Sequence, residues 1–318
     1  MIKNKNGHRV YIPGILITAG CMVVLYFVFV SIVSAQMKYN ARDNMNILLN
    51  AKTELLNQYI EDSEKKLAAF GSSGELKAFL KNQNDEGLRE AAQEFTENYY
   101  SALGNWEGIY LDTWDAEVIT HSNPEVPGMI MREGNSLKAL QESILSAKGE
   151  VYNIGTLVSP TTNRIVMAMY YPIMEEGKAL GFVGGAIFAN GLVDILDTSL
   201  SDKYNNETYS LINLNTNVYI FDSNEKLNNT EINSEPVLDM VDSINEGSDT
   251  GINVYTGEDG EEYFSVYKLL EDRGWALVLT DVSSEVYSNI YQYHFIVGIV
   301  CMLLFLVITV SSFFVKNK

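Results

Sequence analysis

The stretch Tyr152–Leu192 reads YNIGTLVSPTTNRIVMAMYYPIMEEGKALGFVGGAIFANGL, and its punctuation decides the fold. Three extended runs, apolar and rich in β-branched or aromatic residues, are separated by two polar breakers, Thr161-Thr162-Asn163 and Glu175-Glu176-Gly177-Lys178. Runs of this length between turn residues predict a three-stranded antiparallel meander. The last run, Leu180 to Ala189, is uncharged and carries Gly181, Gly184 and Gly185, which suits a central strand closely approached by a helix or a ligand. The rest of the chain is expected to pack on this sheet or hang from it.

At both ends the chain becomes continuously apolar. No charged side chain occurs between Arg9 and Lys38, or between Glu285 and Lys316, and each gap exceeds the roughly 20 residues that cross a bilayer. Tyr11 to Val33 and His294 to Val315 are the predicted spans, with Tyr11, Tyr26, Tyr291 and Tyr293 among the aromatics suited to the interfaces. Lys3, Lys5 and Arg9 precede the first span, and Lys316 and Lys318 follow the second, so both termini are expected in the cytoplasm and the middle outside. Val33-Ser34-Ala35 resembles a signal cleavage site. The apolar run of about 23 residues is too long for a signal peptide, whose core is about 7–15, which favours an uncleaved anchor.

The 318 residues carry a net charge of −19. Setting aside the five flanking cations leaves 17 Lys and Arg against 41 Asp and Glu, or −24 for the outer part. Such a surface repels nucleic acid and anionic lipid and reads as a solvated exterior. The only two cysteines, Cys21 and Cys301, lie inside the predicted spans. A hydrophobic core, without disulfide or thiolate metal site, must therefore hold the outer domain.

Between the spans, Gln36 to Phe70 places Met45, Leu48, Leu49, Leu55, Leu56, Tyr59, Ile60, Leu67 and Phe70 at helical spacing. A helix of that length, about 50 Å, should continue the first span outward as a stalk. Its many apolar positions predict a parallel homodimer along Met45 to Phe70, in addition to a core-facing stripe. After Gly71-Ser72-Ser73-Gly74 come two more helical stretches, Glu75 to Lys81 and Glu86 to Leu103. Trp106 to Asp112 and Glu117 to Ser122 then alternate as a hairpin. A loop with Pro124, Pro127, Gly128 and Gly134 leads to a helix ending at Ala147, N-capped by Asn135 or Ser136. With the meander this makes one α+β unit.

The order then repeats in shorter form. Glu207 to Leu214 and Val218 to Asp222 form a hairpin, Pro236 to Glu246 a helix, and Asn253 to Tyr255, Tyr263 to Leu270 and Trp275 to Val282 three strands. Ile119 to Asn123, ITHSN, matches Ile220 to Asn224, IFDSN, so two tandem modules are expected. The last strand runs through Ser283 to Asn289 directly into the second span. Phosphate-binding glycine loops, zinc-protease motifs and nucleophile elbows are all missing, and His121 is the only histidine in the outer modules. The expectation is a non-enzyme that carries no cofactor or metal.

The layout from about residue 36 to 290 resembles the double Cache extracytoplasmic sensor. NWEGIYLDTWDAEVITHSNPEVPGMIMREGNSLKALQ, EVYNIGTLVSP and GFVGGAIFANGL are similar to outer domains of methyl-accepting chemotaxis proteins. The resemblance implies an α+β fold of two tandem PAS-like Cache modules, with antiparallel sheets, on a long N-terminal stalk helix and between two transmembrane helices. The segments are a cytoplasmic tail (1–10), the first span (11–34), stalk and packing helices (35–104), a membrane-distal module (105–200), a membrane-proximal module (201–290), the second span (291–315) and a cytoplasmic end (316–318). Because the chain ends at Lys318, any cytoplasmic signalling domain or partner lies outside this sequence.

The resemblance also implies a small-molecule site in the distal module at Tyr110, Asp112, His121, Met129, Arg132, Tyr152, Met169 and Tyr170. The amino-acid-binding form of the family uses an Arg-x-Trp-Tyr stretch and a strand aspartate. Here the corresponding region is Arg132-Glu-Gly-Asn-Ser-Leu-Lys and the strand position is Ala186. A generic amino-acid receptor is therefore not expected. Arg132 suits a small carboxylate or phosphate, or else a structural ion pair with Glu133 or Asp112. The implied function is a cell-membrane receptor for chemotaxis. The sensor half of a diguanylate cyclase or histidine kinase and a surface binding domain without signalling are the alternatives.

Overall fold

The computed structural model describes residues 2–3, 9–10, 12–197 and 207–314, with side chains over 16–196 and 207–311. Lys5, Tyr11, the expected 200/201 module boundary, Val315 and Lys316 to Lys318 lie outside these ranges.

One helix, α1 (Ile12–Gly71), carries the chain from the first apolar segment through the whole stalk. Its N-terminal part and the terminal helix α8 (Ser288–Phe314) are each long and apolar enough to cross a membrane, with a mean hydropathy of 2.6 over the most apolar window. Among the described residues nothing covers their outer faces: Leu16, Val24, Phe27, Phe295 and Met302 are all 62–71% exposed. The two helices touch where Ser34 Oγ lies 2.6 Å from His294 Nε2 and Phe29 meets Tyr293.

Beyond the apolar segment, Ala41, Met45, Leu48, Leu49, Leu56, Ile60, Leu67 and Phe70 share one helical stripe, at spacings of three, four or seven residues with Leu48 and Leu49 adjacent, and are buried. Each such side chain contributes about 1.5–3 kcal/mol. Their partners are strands and helices of the same chain, in one core that runs through both modules. This is the expected core-facing stripe, and the exposed apolar side chains left on the stalk include Tyr39 and Ile47.

Two short helices, α2 (Gly74–Lys81) and α3 (Glu86–Ser101), fold back beside α1. Ser73 and Asp85 cap them by accepting the Leu76 and Leu88 amides. The distal sheet comprises β1 (Trp106–Thr113), β2 (Val118–His121), β3 (Tyr152–Val158), β4 (Ile165–Glu175) and β5 (Lys178–Phe188), with α4 (Gly134–Ser146) between β2 and β3. Its order is β2-β1-β5-β4-β3, all antiparallel, so the glycine-bearing strand is central as expected. Of the approaches foreseen for it, that by a helix occurs: a Cβ on Gly185 would lie 2.6 Å from Trp106 and 3.1 Å from Leu67 of α1, while on the other face one on Gly184 would strike the ring of Tyr110 from the neighbouring strand. The N-cap of α4 differs from expectation. The cap falls two or three residues earlier, at Glu133, with no side-chain cap bond, because Gly134 takes φ +60° and turns the chain before Asn135 or Ser136 is reached.

After a helix not foreseen from sequence, α5 (Asn190–Asp197), the second sheet comprises β6 (Thr208–Asn213), β7 (Val218–Asp222), β8 (Thr250–Thr256), β9 (Glu262–Leu270) and β10 (Trp275–Val282). It is ordered β8-β9-β10-β6-β7, the same topology as the first, with α6 (Glu235–Asn245) in the place of α4. The five-residue repeat reappears as geometry. The Asn123 amide donates to His121 Nδ1 at 2.8 Å and the Asn224 amide to Asp222 Oδ1 at 2.7 Å, while Ser122 and Ser223 each bond back to the first strand of their hairpin. From β10 a single turn, α7 (Ser283–Val286), leads into α8.

Candidate functional site

One face of the distal sheet faces α1. The other carries a row of aligned residues: His121 on β2 pairs with Tyr110 on β1, Tyr110 with Gly184 on β5, Gly184 with Tyr170 on β4, and Tyr170 with Tyr152 on β3. Residues two apart in a strand share a face, so the next row on this side is Gly108, Ala186 and Ala168. Aromatic rings in one row and almost no side chains in the next leave a hollow. The result is a cavity of about 500 Å³ between the sheet, the β3–β4 turn and the loop before α4, lined among others by Tyr110, His121, Arg132, Ser136, Tyr170 and Glu107.

Its walls are fixed from outside. The Tyr110 and His121 rings stack at 5.6 Å, and Gln93 of α3 clasps the His121 backbone, donating to its carbonyl at 2.8 Å and accepting its amide at 3.2 Å. Because the Asn123 amide donates to Nδ1, the neutral His121 ring carries its proton on Nε2. Burial lowers the His121 pKa and favours that neutral form. At the opposite wall the Thr162 hydroxyl donates to Glu107.

The cationic end is Arg132. Burial works against its charge, but the hydroxyls of Tyr170, Tyr110 and Tyr152 outweigh that cost, so the guanidinium is held firmly protonated. Burial, reinforced by Tyr170 and Asp112, pushes the Tyr110 hydroxyl well above its usual range. Neither Glu133 nor Asp112 forms the ion pair weighed for Arg132; among the described residues no carboxylate is within ion-pair distance of it.

Of the eight residues expected at the site, Tyr110, His121, Arg132 and Tyr170 line the cavity. The other four do not. Met169 is adjacent to Tyr170 in a strand, so it points to the opposite face and is buried in the core against α1. Met129 lies on the outer loop and is 56% exposed. Tyr152 ends the aromatic row and packs on the cluster of Leu140, Ile144 and Phe182. Asp112 is 1% exposed on β1, with Oδ1 unpartnered, and burial drives its carboxyl well above the usual range. Glu107, Gly108, Ser122 and Ser136 also line the cavity and were not foreseen, whereas Ala186 stands at the strand position that the resemblance singles out. Alternation from Tyr110 would have found Gly108; the loop residues carry no periodic signal.

In the second module the equivalent face is closed. Met240, Val241 and Ile244 of α6 pack onto Ile212, Tyr267 and Val278, with Tyr219 buried among them.

The backbone arrangement is shared with solved sensor domains. The sensory domain of the Campylobacter jejuni chemoreceptor Tlp3, solved with isoleucine bound, superposes with a TM-score of 0.59 at 15% identity, covering 80% of this chain and 97% of that one. The V. cholerae histidine kinase DctB sensor domain gives 0.57 at 11% identity, covering 78% and 99%. The extracellular domain of the putative histidine kinase rpHK1S-Z16 gives 0.56 at 15%, covering 80% and 98%. No curated protein matches the sequence. The Cache domain profile dCache_1 matches residues 33–290, most of the chain, and with the duplicated sheet topology this places the protein in the double Cache domain family.

Proposed function

We propose that the chain is an extracytoplasmic sensor that binds a small carboxylate- or phosphate-bearing metabolite in the distal cavity and reports occupancy across the bilayer through α8, with chemotaxis as its output. The observation that carries this reading is Arg132, a guanidinium at a cavity wall, surrounded by tyrosine hydroxyls and without a carboxylate partner among the described residues. An anion there would gain charge-assisted hydrogen bonds. The start of α4, which has no side-chain cap, adds backbone N–H groups beside it, and Ser136 lines the cavity. Tyr110, Tyr170 and the Nε2–H of His121 are the further proposed contacts.

The basic flanks of the two apolar segments support cytoplasmic termini and an outer middle. A second copy would lie along the face of α1 that carries Tyr39 and Ile47, 65% and 58% exposed. The fold is shared by histidine kinase sensor domains with comparable coverage, which supports kinase output as the second reading.

The test is thermal unfolding of the full chain in lipid nanodiscs against small carboxylates, amino acids and phosphates at fixed pH. A ligand at 100 times its Kd adds about 2.7 kcal/mol. The shift should vanish in Arg132→Ala. A shift that survives removes Arg132 from the site, and a hit mapped to Tyr219 to Tyr267 moves the site to the second module.

A further inference from the structure

The last strand before the terminal helix ends in a buried acid. Asp281 is 1% exposed; its Oδ1 accepts the Val282 amide at 2.7 Å, and its Oδ2 has no partner. Two more buried acceptors at the same junction, Glu207 Oε2 and Ser283 Oγ, are also unpartnered.

The charged groups around Asp281 offer it no compensation. Glu285 on α7 and Glu207 just ahead of β6 both act on it, and both oppose a negative charge. Its cross-strand neighbour on β9 is Phe264, and the adjacent β6 pairing is Thr280 with Thr208. From α1, Lys38 sits over the Tyr287 ring at 5.6 Å and Arg42 donates to the Tyr287 hydroxyl at 3.3 Å, while Lys52 acts on Glu207. Among the described residues no ion pair reaches Asp281.

We propose that Asp281 is the pin of a proton-operated joint: neutral, it stays closed between β10 and α7; ionised, it draws water to its second oxygen and loosens α7 from the sheet, so that external acidity biases the setting of α8 without any ligand. The inference rests on the proposed role of α8 as the output element, but its test reads the joint itself.

Burial, with the two neighbouring carboxylates, raises the Asp281 pKa to about 6. A carboxyl whose pKa is raised in the closed form favours closure fully below its unfolded value near 4, and that support is lost as pH rises through about 6. The same difference caps the change in the closed-to-open ratio at about 100-fold between pH 4 and 8.

Amide hydrogen exchange on the full chain in lipid nanodiscs from pH 4.5 to 8, normalised for the intrinsic pH dependence of exchange, is the test. Protection over Val282 to Ile290 is expected to fall between the open and closed pKa values, with a midpoint near 5 on a logarithmic scale, and Asp281→Asn to hold it constant. Glu207→Gln removes one repelling charge and should move the midpoint lower. A constant wild-type profile, or an Asn variant that keeps the midpoint, overturns the proposal. Should Asp281→Asn fail to fold, the Glu207→Gln arm decides, and an unmoved midpoint overturns it.

Discussion

Gly181 and Gly184 lie three residues apart on the central strand, yet alanine should act on them quite differently. At Gly184 a new Cβ would lie 2.3–2.4 Å from Cζ, Cε2 and the hydroxyl of Tyr110. That neighbour is the far end of a side chain that borders a cavity, so the ring can swing aside, losing its stack on His121 and its contact with Tyr170. Overpacking of this kind costs about 1–2 kcal/mol. At Gly181 the Cβ would lie 2.3 Å from the Asp112 carbonyl oxygen and 2.8 Å from Leu80. A backbone carbonyl cannot turn away without parting β1 from β5, and the cost rises to about 3 kcal/mol as ladder hydrogen bonds stretch. In thermal melts each kcal/mol is worth about 2–4 °C for a domain of this size. Gly184→Ala should therefore lower the midpoint by about 2–8 °C and Gly181→Ala by about 6–12 °C, while only Gly184→Ala perturbs Tyr110 fluorescence and the ligand response without unfolding. Equal losses, or the reverse order, would refute the claim that the Tyr110 ring rests on Gly184 as a movable wall.

Three further outcomes follow from particular contacts. Glu64 accepts a two-pronged bond from Arg273 at 2.6 and 3.2 Å and another from Asn153 at 2.9 Å, tying the stalk to both modules; Glu64→Gln should cost about 2 kcal/mol, and a double-mutant cycle with Arg273→Met that shows no coupling would discard this tie. Leu56→Ala, at a fully buried stalk position, should cost about 2–5 kcal/mol and Ile47→Ala, 58% exposed, less than about 0.5, both read by chemical denaturation; similar losses would contradict the assigned stalk face. Burial lowers the His121 pKa, so its contribution to stability is present above its unfolded value near 6.5 and is lost as pH falls toward the lowered value. Unfolding of wild type and His121→Gln should thus diverge on acidification, opposite in sign to the Asp281 effect, and parallel curves would exclude it.

Much of this architecture was readable because it rests on periodicity. The meander, the 60-residue reach of α1, the duplicated hairpins and the central position of the glycine strand all follow from alternation, helical spacing or charge gaps. The site was readable only in part. Tyr110, His121, Arg132 and Tyr170 follow from the family resemblance, but Met169, taken together with its neighbour Tyr170, falls on the opposite face because successive strand residues oppose each other. On the stalk, helical spacing alone does not separate the stripe that the sheets of the same chain cover from the side chains, such as Tyr39 and Ile47, that stay exposed. α5 escaped notice because eight residues hold little more than two turns of pattern.

The close packing of α1 behind the glycine strand has a mechanical consequence. Leu67 and Gly71 touch the back of β5 at Gly185 and Val183, while Tyr110 rests on its front at Gly184. Only one layer of backbone separates the cavity from the outer end of a rod about 90 Å long, at 1.5 Å per residue, whose other end is the first apolar segment. No break in the helix intervenes to absorb motion. A displacement of β5 along the rod axis is carried toward the first apolar segment, whereas a sideways push is levered about the point where the second module grips the rod, at Asn50, whose Oδ1 accepts from Lys268 at 2.8 Å, and arrives with its direction reversed.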